Sequence, residues 1–364
     1  MKVILTCGGT GGHITPALAI ADVIRQNIPR AEIRFVGAKG GMEEELVAAA
    51  GYPITTLAVK GFSRRRLLSN FATLRLLMEA VREADGLLTE LQPDIVIGTG
   101  GYACYPMLSA AVKRKIPTAV HESNATPGLA VRWLSRSVDR VWLNFREAGR
   151  ELPRGAKTLQ VGNPVRAAGT ARPAPLPVGC RRMLLSFGGS LGADCLNRAA
   201  LSLMDKLALR PDIFYLHASG RRSFEEMWEE FVVRGYDRCP NLCLVPFISD
   251  MPSRMLAANL VICRAGAISI SELAATRRPA VLIPSPNVTG NHQYKNARVL
   301  ADAGAALLFT EAEAGEVGFA SRVLELLEDE GRCSRLAQAI GQFDSPDAGR
   351  YILEDIQKLT KARK

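Results

Sequence analysis

Val3-Ile4-Leu5-Thr6-Cys7-Gly8-Gly9-Thr10-Gly11-Gly12-His13 decides the fold class of this chain. The aliphatic run Val3 to Leu5 has the composition of a buried parallel strand. It empties into four glycines around one threonine. Then follows Ile14-Thr15-Pro16-Ala17-Leu18-Ala19-Ile20-Ala21, with helical periodicity and a proline near its start. A strand, a glycine turn and a helix N-terminus together expose backbone N–H groups at the positive end of a helix dipole. The arrangement predicts a site for a phosphate or another anion. His13 stands at its lip, where an imidazole can bond an anion or accept a proton.

The same device opens the second half. Met183-Leu184-Leu185-Ser186-Phe187 reads as a strand, and it empties into Gly188-Gly189-Ser190-Leu191-Gly192 and a helix beginning near Ala193. Strand-like runs alternate with helical segments throughout, at 3–6, 33–36, 94–97, 117–120 and 139–143 before the restart. The pattern predicts α/β architecture: two Rossmann-like domains with parallel sheets, facing one another across a cleft. The segment Arg154 to Cys180, with Ala171-Arg172-Pro173-Ala174-Pro175-Leu176-Pro177 at its centre, has linker composition. The expected division is therefore residues 1–166, a linker at 167–180, a second domain at 181–345 and a terminal helix at 346–364. That helix carries Ile352, Ile356 and Leu359 on one face and is expected to pack back across the junction.

The common phosphate fingerprints are absent. The dinucleotide motif needs a glycine where Ile14 stands, and no Gly-Lys-Ser/Thr triplet follows the first loop. A short dinucleotide-like pattern occurs at Gly98-Thr99-Gly100-Gly101-Tyr102-Ala103; tight strand-to-helix turns account for such patterns in many α/β chains. The composition, 48% hydrophobic and 23% charged, is that of a soluble enzyme. The N-terminal apolar run is too short for a signal peptide, which predicts a cytoplasmic protein. Eight cysteines without Cys-x-x-Cys spacing read as small core residues.

The net charge of +10 suits a phosphorylated substrate or an anionic membrane. It does not point to nucleic acid, since no basic-aromatic interleaving accompanies it. Lys60-Gly61-Phe62-Ser63-Arg64-Arg65-Arg66-Leu67-Leu68 leads into Phe71, Leu74, Met78 and Val81 at helical spacing. Two readings fit this stretch: a patch that holds an anionic bilayer, or a solvated loop before an ordinary core-facing helix.

Five more clusters fall at expected strand ends: His121-Glu122-Ser123-Asn124, Gly162-Asn163-Pro164-Val165-Arg166, Pro246-Phe247-Ile248, Arg264 to Glu272, and Asn291-His292-Gln293-Tyr294-Lys295-Asn296-Ala297. Their chemistry is consistent with a nucleotide-sugar ligand. Ser190 and the glycine turns can donate to a diphosphate, and Arg166 can neutralise it with a planar fork. Glu272 can accept from two ribose hydroxyls, while Asn124 and Gln293 can read sugar hydroxyls or amides. The bland alternatives stand beside these: Ser190 as a helix cap, Glu272 as a first-turn carboxylate, and His121 with Glu122 as a satisfied core pair.

In their order and spacing these motifs resemble the MurG family of bacterial peptidoglycan glycosyltransferases, over essentially the whole chain. The resemblance implies a GT-B fold, with UDP-N-acetylglucosamine held mainly by the second domain. The acceptor, an undecaprenyl-diphosphate-linked muramoyl-pentapeptide, would lie against the first domain. It implies inverting transfer to the C4 hydroxyl of the muramoyl residue, with no cofactor. It further implies a peripheral place on the cytoplasmic face of the membrane, beside other cell-wall synthesis proteins. Carried over by motif, Thr10, Gly11 and Gly12 lie near donor and acceptor groups, Asn124 contacts the N-acetylglucosamine, and Arg166 and Ser190 contact UDP. Ile248 and the turn Ala267-Ile268-Ser269-Ile270-Ser271-Glu272 frame uracil and ribose, with Glu272 on the ribose hydroxyls, and Gln293 reads the sugar. Ser123, Ala125-Thr126-Pro127 and His292 depart from the family pattern.

No Asp-x-Asp motif exists to hold a metal against the diphosphate, so helix N–H groups, Ser190 and Arg166 would stabilise it. His13 is the expected general base for the C4 hydroxyl, with binding of the acceptor diphosphate as its rival role. Competing readings are a UDP-N-acetylglucosamine 2-epimerase, an NAD-dependent oxidoreductase built on the Gly98 loop, and a non-catalytic sugar-nucleotide sensor.

Overall fold

The computed structural model describes residues 1–59, 69–165, 171–189 and 192–362. The chain divides into two compact units, one formed by residues 1–166 with 345–364 and the other by residues 167–344.

Among the described residues the first unit has seven strands: β1 (Lys2–Thr6), β2 (Glu32–Ala38), β3 (Ile54–Leu57), β4 (Ile95–Gly98), β5 (Thr118–Glu122), β6 (Arg140–Leu143) and β7 (Thr158–Gln160). They form one sheet in the order β3-β2-β1-β4-β5-β6-β7, and every pair is parallel. The strand order reverses between β1 and β4, and such a reversal point is where sheets of this class take ligands. Burial on both faces explains why the centres of β1, β4 and β5 read as apolar runs: Val3, Leu5, Ile95, Ile97 and Ala119 are buried on one face, and Ile4, Val96 and Val120 on the other.

The second unit repeats the plan with β8 (Arg182–Phe187), β9 (Ile213–Ala218), β10 (Leu242–Val245), β11 (Leu260–Cys263), β12 (Ala280–Leu282) and β13 (Leu307–Leu308). Their order, β10-β9-β8-β11-β12-β13, is again all parallel. The reversal here falls between β8 and β11. Each glycine turn noted in the sequence thus leaves the strand beside a reversal point.

Three local features differ from the sequence reading. β7 lies inside the stretch read as linker, because a three-residue edge strand among glycines and prolines carries almost no periodic signal. β5 runs through His121 and Glu122 rather than ending before them. The first helix starts at Gly11, not Ile14, so Gly11, Gly12 and His13 are its first turn; Pro16 lies within it.

The last helix, Ala348–Lys361, belongs to the first unit. Ile352 and Ile356 are fully buried in the cluster that contains Val3, Leu5, Ile14, Ile20 and Trp142. Asp355 fastens the helix to β6, accepting hydrogen bonds from Arg140 Nε at 2.9 Å and Trp142 Nε1 at 2.8 Å. Asp355→Ala leaves both donors unmatched near the core and is expected to lower stability by about 2–4 kcal/mol. Urea unfolding measures this; a loss within the ~0.5 kcal/mol scatter of surface changes would mean that the apolar face alone holds the helix.

Candidate active site

In the first unit, the loops after β1 and β4 lock together. His13 Nδ1 lies 3.0 Å from the Thr99 carbonyl oxygen, and Thr99 Oγ1 donates to the His13 carbonyl at 2.7 Å. A carbonyl only accepts, so Nδ1 carries the hydrogen and Nε2 is the lone-pair nitrogen of the neutral ring. This is the tautomer a general base needs. Gly101 makes the approach possible: its φ is +91° and a Cβ there would collide with the Gly8 carbonyl. The dinucleotide-like glycines at 100 and 101 are therefore used in packing against the first loop and His13.

Thr10 is the helix N-cap in extended geometry, without a side-chain capping bond. Gly9, Thr10 and Gly12 are exposed, and Gly11 and His13 are half-buried. A Cβ on Gly11 would meet nothing within 4 Å among the described residues.

Beneath this loop is a carboxylate that sequence reading missed. Glu43 is fully buried; its Oε1 accepts from Ala38 N at 2.8 Å and its Oε2 from Gly9 N at 3.3 Å. Gly8, Gly37 and Gly41 leave it room, since a Cβ on any of them would strike its side chain. In sequence it looks like one of three acidic residues in an ordinary first helical turn, and only the surrounding glycines hint otherwise.

After β5, His121 and Glu122 are both buried and separately satisfied. His121 Nε2–H donates to the Gly162 carbonyl at 2.9 Å, and burial pushes the imidazole down to about 4, so it stays neutral. Glu122 is raised by burial and gathers three N–H donors. Oε1 accepts from Asn124 N at 2.9 Å and Asn124 Nδ2 at 3.1 Å, and Oε2 accepts from Gly128 N at 2.8 Å. Asn124 is thus held at the strand end by its neighbour. Arg166 and Ser190 lie outside the described residues.

In the second unit, Gly266 in extended geometry caps the helix Ala267–Thr276. The backbone of Ala267, Ile268 and Ser269 forms its first turn, at the positive end of the helix dipole. The Ile270 and Ser271 side chains turn inward, Ser271 Oγ donating to the Ala267 carbonyl at 3.0 Å. Glu272 is half-buried, and desolvation pushes its carboxyl up to about 7. Ile248 is buried, next to exposed Phe247, over which the Arg221 guanidinium lies at 5.6 Å.

Gln293 sits in the first turn of the helix His292–Asp302, half-buried like His292. Its Oε1 accepts from Ser285 N at 2.9 Å, which sets the amide so that Nε2 faces the other way. Arg264 is a structural bracket, with Nη1 on the Ile283 carbonyl at 3.0 Å and Nη2 on Glu311 at 2.5 Å. Below the Gly188 turn, Tyr215, Ser186, His217 and Asn197 form a buried chain of hydrogen bonds at 2.7–3.0 Å. Burial pushes His217 down to about 3, so it serves there as a neutral spacer.

Among the described residues no group of three or more His, Cys, Asp or Glu side chains is arranged to hold a metal ion.

Two all-parallel α/β units, each with a glycine turn beside its reversal point, match the GT-B fold of glycosyltransferases. Residues 3–143 match the glycosyltransferase family 28 N-terminal domain and residues 183–348 the family 28 C-terminal domain. A UDP-N-acetylglucosamine--N-acetylmuramyl-(pentapeptide) pyrophosphoryl-undecaprenol N-acetylglucosamine transferase from Acetivibrio thermocellus is 37% identical, the alignment covering 99% of both chains. The Lactobacillus helveticus protein of the same name is 36% identical over 99% of this chain and all of its own. The crystal structure of Acinetobacter baumannii MurG superimposes with a TM-score of 0.77 at 28% identity, covering 98% of this chain and 99% of that one. The chain belongs to the MurG family within glycosyltransferase family 28. A UDP-GlcNAc 2-epimerase from Neisseria meningitidis has a TM-score of 0.68 at 13% identity, with 98% of this chain and 100% of that one covered; that likeness is one of fold alone.

Proposed function

We infer that this chain transfers N-acetylglucosamine from UDP-N-acetylglucosamine to the C4 hydroxyl of a muramoyl-pentapeptide carried on undecaprenyl diphosphate, inverting the anomeric carbon and releasing UDP. The observation that carries the reading is end-to-end identity of 37% with a transferase so named. Acceptor-dependent release of UDP is the experiment that tests it.

The site residues take the following parts in this reading. Ile248 and the backbone of the Ala267–Ser271 turn frame the uracil, and ionised Glu272 accepts from the ribose hydroxyls. Arg166 and Ser190, assigned on motif alone, contact UDP, while Asn124 and Gln293 read the sugar. Thr10, Gly11 and Gly12 border the acceptor. As the C4 oxygen bonds to the anomeric carbon, the bond from that carbon to the diphosphate oxygen breaks and its electron pair leaves with UDP. His13 Nε2 takes the C4 hydroxyl proton, giving an imidazolium whose Nδ1–H still donates to Thr99. Charge developing on the diphosphate is met by preorganised N–H groups and Arg166.

The same reading places the chain on the cytoplasmic face of the membrane as a peripheral protein. Among the described residues no helix is long and apolar enough to cross a membrane. The basic segment 60–68, one half of the patch that sequence suggested, lies outside the described residues. In the helix that follows it, Ser69–Leu91, the side chains of Phe71 and Leu74 also lie outside the description; among the described side chains Ala80, Ala84 and Leu88 are buried and Met78 is 54% exposed. Leu129 and Trp133 are exposed on the helix Leu129–Leu134. Apolar side chains facing solvent on a chain of net charge +10 suit an anionic bilayer surface.

A further inference from the structure

We propose that Glu122 is the positioning residue for donor-sugar recognition, acting through Asn124. This rests on the reading above, in which Asn124 contacts the N-acetylglucosamine. Glu122 is 3% exposed at the end of β5, and its carboxylate closes the loop that follows. One oxygen takes both the backbone N–H and the Nδ2 of Asn124, at 2.9 and 3.1 Å; the other takes the Gly128 N–H at 2.8 Å. Two consequences follow from these bonds.

The pair of bonds to Asn124 fixes the sense of its amide. An ionised carboxylate only accepts, so Nδ2 must face Glu122 and Oδ1 must face away. A sugar-reading amide that could flip would offer donor and acceptor alike, and would lose its preference among hydroxyl and acetamido groups. The bond to Gly128 fixes where the loop returns, since Gly128 is the extended N-cap of the helix Leu129–Leu134. The loop residues Ser123 to Pro127 are thereby tied at both ends to one side chain. Asn144 steadies the same turn, donating through Nδ2 to the Ser123 carbonyl at 3.0 Å.

Glutamine is nearly isosteric with Glu122 but has one acceptor oxygen and an NH₂ group in place of the other. In Glu122→Gln either the Gly128 N–H or the Asn124 donors face that NH₂. The test is steady-state kinetics on the full-length protein with four forms: wild type, Glu122→Gln, Asn124→Ala and the double variant. Donor KM, kcat and the inhibition constant for free UDP are measured for each.

Glu122→Gln is expected to raise the donor KM about tenfold, or ~1.4 kcal/mol, with inhibition by UDP unchanged, because UDP lacks the sugar. The double variant is expected to be no worse than Asn124→Ala, since the second change removes what the first acts through. Effects that multiply, or an equal weakening of UDP, would overturn the proposal and make Glu122 a general support of the fold. Should Asn124→Ala leave the donor KM unchanged while Glu122→Gln raises it, the route through Asn124 is wrong although the transferase reading stands. If wild type itself transfers no sugar, that reading fails first and the proposal with it.

Asn124→Asp covers the case in which Glu122→Gln does not fold. It sets a carboxylate oxygen against Glu122, and a donor KM well above that of Asn124→Ala supports the proposal. A KM equal to that of Asn124→Ala overturns it.

Discussion

Replacing His13 by alanine should lower kcat at least about 100-fold, the usual contribution of a general base, while binding of UDP-N-acetylglucosamine should be unchanged. The expectation comes from the tautomer. The Thr99 carbonyl at 3.0 Å takes the Nδ1 hydrogen, which leaves Nε2 as the basic nitrogen, and the interlocked loops hold the ring in place. The rival role, binding the acceptor diphosphate, leaves a different trace. A His13→Ala enzyme that regains full turnover at high acceptor concentration has lost a binding contact, not a base. His13→Gln sharpens the distinction: its amide can still donate to a diphosphate but cannot take a proton at neutral pH.

Glu272→Ala is expected to raise the donor KM by about 10–150-fold, the equivalent of ~1.5–3 kcal/mol for hydrogen bonds to a charged group. Unchanged donor kinetics would remove Glu272 from the nucleotide site. The carboxyl also predicts a pH dependence. Desolvation holds it near 7 in the free protein, and ribose hydroxyls donate to the ionised form. Donor affinity should therefore rise as pH increases through about 7 and level off above it, with roughly tenfold loss for each unit below.

Folding stability runs the other way. A carboxyl raised from 4.5 to about 7 favours the folded state below the lower value, and that contribution disappears as pH rises through the higher one. Bound donor should cancel the loss, because its hydroxyls stabilise the charge. Glu272→Gln should flatten both profiles; a pH dependence of donor KM that survives it would assign the titration to another group.

The sheet strands with strong apolar runs were legible in the sequence, and so were the turns at their ends, because doubly wound sheets bury both faces and concentrate glycine where loops meet ligands. β3, β7 and β13 were not. Each is an edge strand with four residues or fewer and little buried surface, so the pattern that marks a strand is missing. Residue types at the site were legible for the same reason as the turns. Partners were not: nothing in the spacing of His13 and Thr99, 86 positions apart, shows that they meet.

The two buried carboxylates under the loops were harder still. Glu43 reads as a solvated helix residue and Glu122 as half of a His-Glu pair. Their burial depends on long-range packing, Glu43 among glycines from three segments and Glu122 against a loop that folds back on it. His121 illustrates the converse: its chemistry suggested a site, and its bond to Gly162 with a depressed pKa makes it a neutral strut.

UDP release from UDP-N-acetylglucosamine, followed with and without a short-chain muramoyl-pentapeptide diphospholipid and in the presence of EDTA, tests the central claim most directly. Release that requires the acceptor and survives EDTA is the predicted result. Release without the acceptor, or tight donor binding with no turnover in either mixture, would contradict it.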